Sequence, residues 1–364
     1  MTSMNAINSR YEYGVASIRD LTVQTAPAIG SRRPEVEKIQ IGDRWAKPTR
    51  RFWKSLFNRF AISDSVFRYF SHQEVFERIA REDSANQFRF CLEHDGKKEP
   101  RLLAASRLSR PVISPEEVVT LASGYDCREV SCSNGCVTTT HTPRSGAGDF
   151  QIGGDVFQHR YVLETPIDGF GSPRIYLSLL RMICANGAVA YSPVFRSEVS
   201  TGKDIGWSLS RALDSYDNSD GFAALRQRFE SSQTSWASLA ECNRLYRELL
   251  RIDNSDSYSR GRVLERFYGM TGRVHELYGM ANLDALSIKR QRVLPARCRV
   301  YDLLNFATEI ATHRVSWNSA WRLQGLVGSM LSDEFDMEGT AGAGSEFQDV
   351  FIESSDPGPR ASLN

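Results

Sequence analysis

Asn134-Gly135 sits in the middle of "EVSCSNGCVTTTH", Glu129 to His141. The flanks are rich in β-branched and small residues that alternate, and few chain paths suit an Asn-Gly so placed. Both central residues of a type I′ turn need positive φ, which asparagine and glycine tolerate. The segment therefore predicts two antiparallel strands closed by a two-residue turn. A near copy follows, "RMICANGAVAYSP", Arg181 to Pro193, and both contain Cys-x-Asn-Gly-x-Val. Its upstream flank has a different period. "SPRIYLSLLRMICANG" sets Ile175, Leu179, Met182 and Ile183 on one helical face, with Ser172-Pro173 as cap and first position. That pattern predicts a helix ended by Asn186-Gly187 in a left-handed C-cap. One dipeptide thus serves two geometries, and no internal repeat is read.

The remaining patterns are local. "QFRFCLE" alternates as a strand does, "LLAASRLSR" is apolar and then polar, "FQHRYVLETPID" (Phe157 to Asp168) reads as a strand and turn, and "AVAYSPVF" (Ala188 to Phe195) as a further strand. Ser114-Pro115-Glu116-Glu117 opens a helix that stops near Gly124: serine caps it, proline takes the first position and acids follow in the first turn. Phe52, Trp53, Leu56, Phe57 and Phe60 keep helical spacing, Ser63 caps a second helix, and Ser71 a third that carries Val75, Phe76 and Ile79. Beyond Gly206 the period is helical, over roughly 206–217, 220–232, 234–252, 259–278, 300–313 and 315–331.

These readings predict an α+β fold, with a central, mostly antiparallel sheet from about residue 86 to 200, N-terminal helices, a large C-terminal helical part and disordered termini. The expected organisation is a poorly ordered arm over 1–42, a basic-aromatic helical segment over 43–85, a mixed sheet-containing core over 86–204, a helical region packed on it over 205–331 and an acidic disordered tail over 332–364.

Composition narrows the class. Of 364 residues, 41% are hydrophobic and 24% charged, a globular balance, and no run reaches the roughly 18 apolar residues that span a bilayer. The first residues, MTSMNAINSRYEYG, lack a basic segment followed by an apolar one, so the expected location is the cytoplasm, no membrane partner is expected, and the seven cysteines are read as reduced thiols. The net charge of +1 hides an asymmetry: 21 basic against 15 acidic residues from Arg174 to Met330, then eight acids and no lysine or arginine from Ser332 to Pro359.

No phosphate-binding loop, dinucleotide fingerprint, His-Glu-x-x-His or Gly-x-Ser-x-Gly occurs, so no cofactor is expected. Cys127, Cys132, Cys136 and His141 could hold zinc, but their spacing lacks paired knuckles separated by a longer loop. An even offset gives Cys132 and Cys136 a chance to share a hairpin face. Glu129, Asp155 and Glu164 could meet as metal-binding acids, although no spacing argues for it. Cys184 reads as a core thiol rather than a nucleophile, because the end of a helix disfavours a thiolate.

Two basic clusters carry more. Arg44, Lys47, Arg50, Arg51, Lys54 and Arg59 interleave with Trp45, Phe52 and Trp53, and Lys289, Arg290, Arg292, Arg297 and Arg299 follow with no acid among them. Basic side chains neutralise phosphates and aromatics stack on unpaired bases. The bland alternative is a solvated face over core aromatics.

Three segments carry a resemblance. "RMICANGAVA" is similar to the Arg-x-x-Cys-x-Asn-Gly pattern of the domain of unknown function 932 family, also labelled phage/plasmid-like protein, through Arg181, Cys184, Asn186 and Gly187. "AASRLSRPVISPEEVV" resembles its early Arg-Pro segment before a helix, and "VYDLLNFATEIATH" its late segment through Asn305, Thr308 and Glu309. The following "FRSEVSTGKD" has no histidine where that family often carries one. The resemblance implies a mobile-element setting in nucleic-acid metabolism. With the basic clusters, it gives the expectation of a non-enzymatic protein that binds single-stranded nucleic acid. The two alternatives are a homo-oligomeric interaction or scaffold protein without nucleic acid and a metal-dependent enzyme.

Overall fold

The computed structural model describes residues 10–26, 35–82, 87–94, 96, 98–144, 148–181, 186–189, 196–199, 204–217, 221–252, 260–279, 286–313 and 317–331. The strands are β1 (Tyr11–Ser17), β2 (Thr22–Thr25), β3 (Val36–Ile41), β4 (Arg44–Pro48), β5 (Gln87–Glu93), β6 (Arg101–Ser106), β7 (Cys127–Ser133), β8 (Cys136–His141), β9 (Phe150–Ile152), β10 (Asp155–Pro166), β11 (Arg174–Arg181), β12 (Asn186–Val189), β13 (Arg196–Glu198), β14 (Trp236–Ser238) and β15 (Pro295–Arg299). The helices are α1 (Arg50–Phe60), α2 (His72–Glu82), α3 (Pro115–Ser123), α4 (Ile205–Asp217), α5 (Gly221–Ser231), α6 (Leu239–Leu250), α7 (Arg260–Thr271), α8 (Val274–Leu277), α9 (Ile288–Val293), α10 (Val300–His313) and α11 (Trp317–Met330).

The class is α+β with mostly antiparallel sheets. One sheet runs β1-β5-β6-β4-β3-β2, another β12-β11-β10-β8-β7 with β9 on β10 and β13 on β11, and β14 pairs with β15. The single sheet expected over 86–200 is therefore two sheets, and the first draws in residues from Tyr11 onward. The chain divides into a first unit (1–141, 163–175, 198–215) and a second (142–162, 176–197, 216–364).

In the first unit, Ile18, Ile39, Ile41, Phe52, Leu56, Phe76, Phe88 and Leu102 close one apolar core. Thr49 couples helix to sheet: its hydroxyl accepts from Phe52 N as the cap of α1 and donates to Leu102 O of β6 at 3.0 Å. Ser55, six residues on, accepts from Ala105 N at 2.8 Å. Burying a phenylalanine such as Phe52 contributes about 1.5–3 kcal/mol, so these anchors fix α1 against β6.

The expected arm over 1–42 is corrected. Where described, it holds β1, β2 and β3, antiparallel to their neighbours. Lys38-Ile39-Gln40-Ile41 alternates, and the Gly42-Asp43 turn pairs Ile41 with Arg44. The polar outward face dilutes the apolar period. The 43–85 segment likewise begins as a strand before its helices. Ser114 and Ser71 cap as expected, each with a glutamate three residues on returning to the serine N–H, and Ser63 opens only a 3-10 turn over Asp64–Arg68.

In the second unit, α6 follows β14 through a capping box of Ser238 and Glu241, so the helix expected from 234 starts at Leu239. The expected 259–278 helix breaks at Gly272 and Arg273, both at positive φ, into α7 and α8. The helix expected to end at Asn186-Gly187 is overturned. β11 and β12 pair antiparallel, with Leu180 opposite Gly187 and Arg181 opposite Asn186. Tyr176, Leu177, Ser178 and Leu179 are all buried, and a strand covered on both faces loses the alternation that would have marked it. Residues 182–185, with Cys184, and the tail over 332–364 lie outside the described residues.

Candidate functional site

The Asn134-Gly135 turn joins β7 to β8 as expected, with φ of 50° and 73° and Ser133 opposite Cys136. Its role exceeds turning the chain. A Cβ on Gly135 would stand 2.8 Å from Cβ and Oδ2 of Asp168, so only glycine lets that carboxylate close in. Asp168 is buried. Arg51 Nη2 donates to its Oδ1 at 3.0 Å, Arg51 Nε donates to Oδ2, and Phe170 N donates to Oδ1 at 3.0 Å. Arg51 also donates to Phe170 O, and Arg110 to Gly171 O. Burial acts against the Arg51 charge, yet the hydrogen bond and charge of Asp168 hold it protonated. Burial pushes the Asp168 carboxyl above the usual carboxylate range, while Arg51 and the Phe170 N–H pull it back.

A second buried carboxylate lies in the same unit. Glu93 meets Arg10 and Arg101, each at 2.8 Å, and accepts from the Tyr11 hydroxyl at 3.2 Å. Arg101 also donates to Asn134 Oδ1 at 2.7 Å, tying the turn to β6. Both carboxylates are engaged by arginines, an arrangement that fixes geometry rather than one poised to move protons.

The zinc alternative loses its geometry. In the β7–β8 register Cys132 faces Val137 and Cys136 faces Ser133, so the two thiols project to opposite faces, contrary to the expectation from their offset. His141 Nδ1 lies 3.0 Å from Tyr125 O, which can only accept, so Nδ1 carries the proton and Nε2 accepts from Thr139 Oγ1 at 2.7 Å. Both ring nitrogens are engaged. Burial pushes the Cys127, Cys132 and Cys136 thiols up. Asp155 accepts from the Tyr301 hydroxyl at 2.5 Å. Among the described residues, no three His, Cys, Asp or Glu side chains gather to hold a metal ion.

The first basic cluster is dispersed. Arg44 pairs with Glu12, Arg51 with Asp168, and Arg59 donates to Gln87 O. Phe52 is buried, and Trp53 packs on Phe52, Phe57, Phe67 and His72, so these rings build core instead of a base platform. Trp45 and Lys47 share the exposed face of β4, and Arg50 and Lys54 are exposed one turn apart on α1.

The second cluster is concentrated. Ser287 caps α9, where Lys289, Arg290 and Arg292 are exposed, while Gln291 turns inward to accept from Asn243 Nδ2 of α6 at 3.3 Å. On α6, Arg244 and Arg247 are exposed beside Asn243, one of them a full turn beyond it. Glu248, which follows Arg247 on α6, meets Arg251 at 2.6 Å and Arg322 at 3.5 Å. Arg297 is exposed on β15 and rests against Gly272. Arg299 centres 3.7 Å over the Trp236 ring. The α6 arginines were missed in the sequence because acids intervene along the chain, whereas the helical turn separates them in space.

Of the motif residues, Arg181, Asn186 and Gly187 lie in the β11–β12 pair. Thr308 is buried and donates to Leu304 O at 2.9 Å, inside its own helix. Glu309 is held bidentately by Arg266 at 3.0 and 2.9 Å, and Asn305 lies on the same helix, α10. No helix among the described residues is long and apolar enough to cross a membrane. Compared with protein-family models, curated proteins and solved structures, the chain matches none.

Proposed function

We propose that the chain is a non-enzymatic, cytoplasmic nucleic-acid-binding protein of mobile-element type that prefers single strands. The observation that carries this reading is the α6–α9 surface, where Arg244, Arg247, Lys289, Arg290 and Arg292 are exposed around the Asn243–Gln291 contact. Cations held on packed helices neutralise phosphates. Arg299 over Trp236 adds a planar cation of the kind on which unpaired bases stack. The resemblance of three short segments to the phage/plasmid-like family points to the same setting. Phosphate contacts from the first basic cluster reduce to Lys47, Arg50 and Lys54.

Fluorescence anisotropy with single- and double-stranded DNA and RNA of about 20 nucleotides tests it, over a salt series from about 50 mM. The expected outcome is micromolar binding that weakens steeply with salt and is tighter for single strands. Changing Lys289, Arg290 and Arg292 to alanine lowers affinity and reduces the salt slope by about 0.7 for each phosphate left without a cation. Removing the eight acids between Ser332 and Pro359 tightens binding most at low salt, where a competing polyanion is least screened. No binding at the lowest salt overturns the reading.

A further inference from the structure

The first unit contains a groove of about 790 Å³ between the Pro111–Ile113 segment, α3 and the start of α4. Its apolar lining is Val112, Ile113, Leu121 and Ile205. Among the described residues, its charged lining is Glu116, Glu117 and Asp204. Two of these carboxylates are held in place. Glu117 Oε2 accepts from Ser114 N at 2.8 Å, and Asp204 Oδ1 accepts from Trp207 N at 3.0 Å. The negative charge is therefore fixed at the rim of an apolar trough, and the matching surface is an apolar side chain flanked by cations.

This chain carries that surface. Ile288, at the start of α9, is 69% exposed, a degree unusual for isoleucine in a folded protein. Lys289, Arg290 and Arg292 follow it, all exposed, with no acid before Asp302. The buried Gln291 anchors α9 to α6, so the helix is presented on a fixed base.

We propose that the groove of one copy receives α9 of a second copy, with Ile288 against Val112, Ile113, Leu121 and Ile205 and the three cations against Glu116, Glu117 and Asp204. Groove and helix are different patches, so the contact is head-to-tail and propagates from copy to copy instead of closing on a two-fold axis. One short helix covers far less than a standard interface, so the association is weak and transient. The inference stands independently of nucleic-acid binding. Where both hold, nucleic acid competes for α9 and disperses the assembly.

Sedimentation velocity of the full chain, free of nucleic acid, reads the outcome. At low salt the weight-average sedimentation coefficient rises with protein concentration, and the rise disappears at high salt, because the contact is charged. Two reversals follow: Glu116→Lys with Thr120→Lys in the groove, and Lys289→Glu with Arg290→Glu on the helix. Each lowers self-association about tenfold or more by setting like charges together. Mixed one to one, the two variants associate again, since each supplies the surface that the other needs. Recovery on mixing separates a broken contact from a misfolded variant. A monomer at every concentration at low salt overturns the proposal, as does association that both reversals leave unchanged or a mixture that fails to recover.

Discussion

Arg51 and Asp168, 117 residues apart, meet through two parallel N–H···O contacts, and the Asp168 side chain is fully buried while that of Arg51 keeps a third of its surface. The pair joins α1 to the loop after β10, and the Asn134-Gly135 turn packs directly on the carboxylate. Removing one partner of such a pair leaves the other charge without compensation. Arg51→Met is expected to destabilise the chain by about 3 kcal/mol, and Asp168→Asn by less, because an amide is neutral and still accepts from Phe170 N. Urea unfolding of the two variants checks the order. Equal losses would mean that shape, not charge, holds the site.

Gly135→Ala tests the turn. Alanine at a φ of 73° is strained by about 1 kcal/mol, and its Cβ would meet Asp168 at 2.8 Å. The carboxylate cannot swing aside without leaving Arg51, so the expected loss exceeds backbone strain alone and reaches about 2 kcal/mol or more. In an Asp168→Ala background the clash with Cγ and Oδ2 vanishes while that with the Cβ of residue 168 stays, so the cost of Gly135→Ala falls only partway toward the backbone value. A double-mutant cycle by thermal unfolding measures this coupling.

That turn was legible in the sequence because its chemistry is local: Asn-Gly and the alternation on each side suffice. The capping boxes at Ser71 and Ser114 were legible for the same reason, since a serine and a glutamate three residues on write the helix start into adjacent positions. What failed depends on tertiary cover. "RIYLSLLR" became β11 because neighbours bury both of its faces, so its apolar residues carry no period of two. β3 was hidden by the opposite effect, with Lys38 and Gln40 on its outward face, and β1 because it leaves apolar Tyr13 and Val15 exposed. Arg51 read as one cation among several, and no spacing links it to Asp168. The α6–α9 surface was half legible: Lys289, Arg290 and Arg292 are consecutive enough to notice, whereas Arg244 and Arg247 join them only through the packing of Asn243 on Gln291.

The capping glutamates give a pH dependence. Hydrogen bonds from the Ser71 backbone and hydroxyl lower the Glu74 carboxyl from its ordinary value, and those from Ser114 do the same for Glu117. A carboxyl whose folded value is depressed contributes stability that is present above its unfolded value, near pH 4.3, and lost as pH falls through the folded value. The Glu74→Gln, Glu117→Gln double variant keeps an acceptor and loses the titration. Its melting temperature is expected to fall less than that of the parent between about pH 6 and pH 3. Parallel curves for the two proteins would show that these caps do not contribute to acid sensitivity.

The thiols separate by accessibility. Cys91 and Cys242 are completely buried and Cys298 nearly so, while Cys127 and Cys132 are half-exposed. Burial pushes the Cys127 and Cys132 thiols above their ordinary value, so little thiolate exists near neutral pH. Alkylation of the native chain at about pH 7 is therefore expected to be slow and confined to these two among the buried and half-exposed thiols just named. It should accelerate as pH rises past the ordinary thiol value of about 8.5, because the thiolate is the nucleophile. Cys242 is raised further by burial and by its hydrogen bond to Cys298, and both should stay unmodified until the second unit opens in denaturant. Quantitative mass spectrometry of each cysteine-containing peptide, over time and over pH, gives the ranking directly. Modification of Cys242 or Cys298 as fast as Cys132 in the native chain would mean that α6 and β15 separate readily. The α6–α9 surface would then lack the fixed base that its phosphate contacts need.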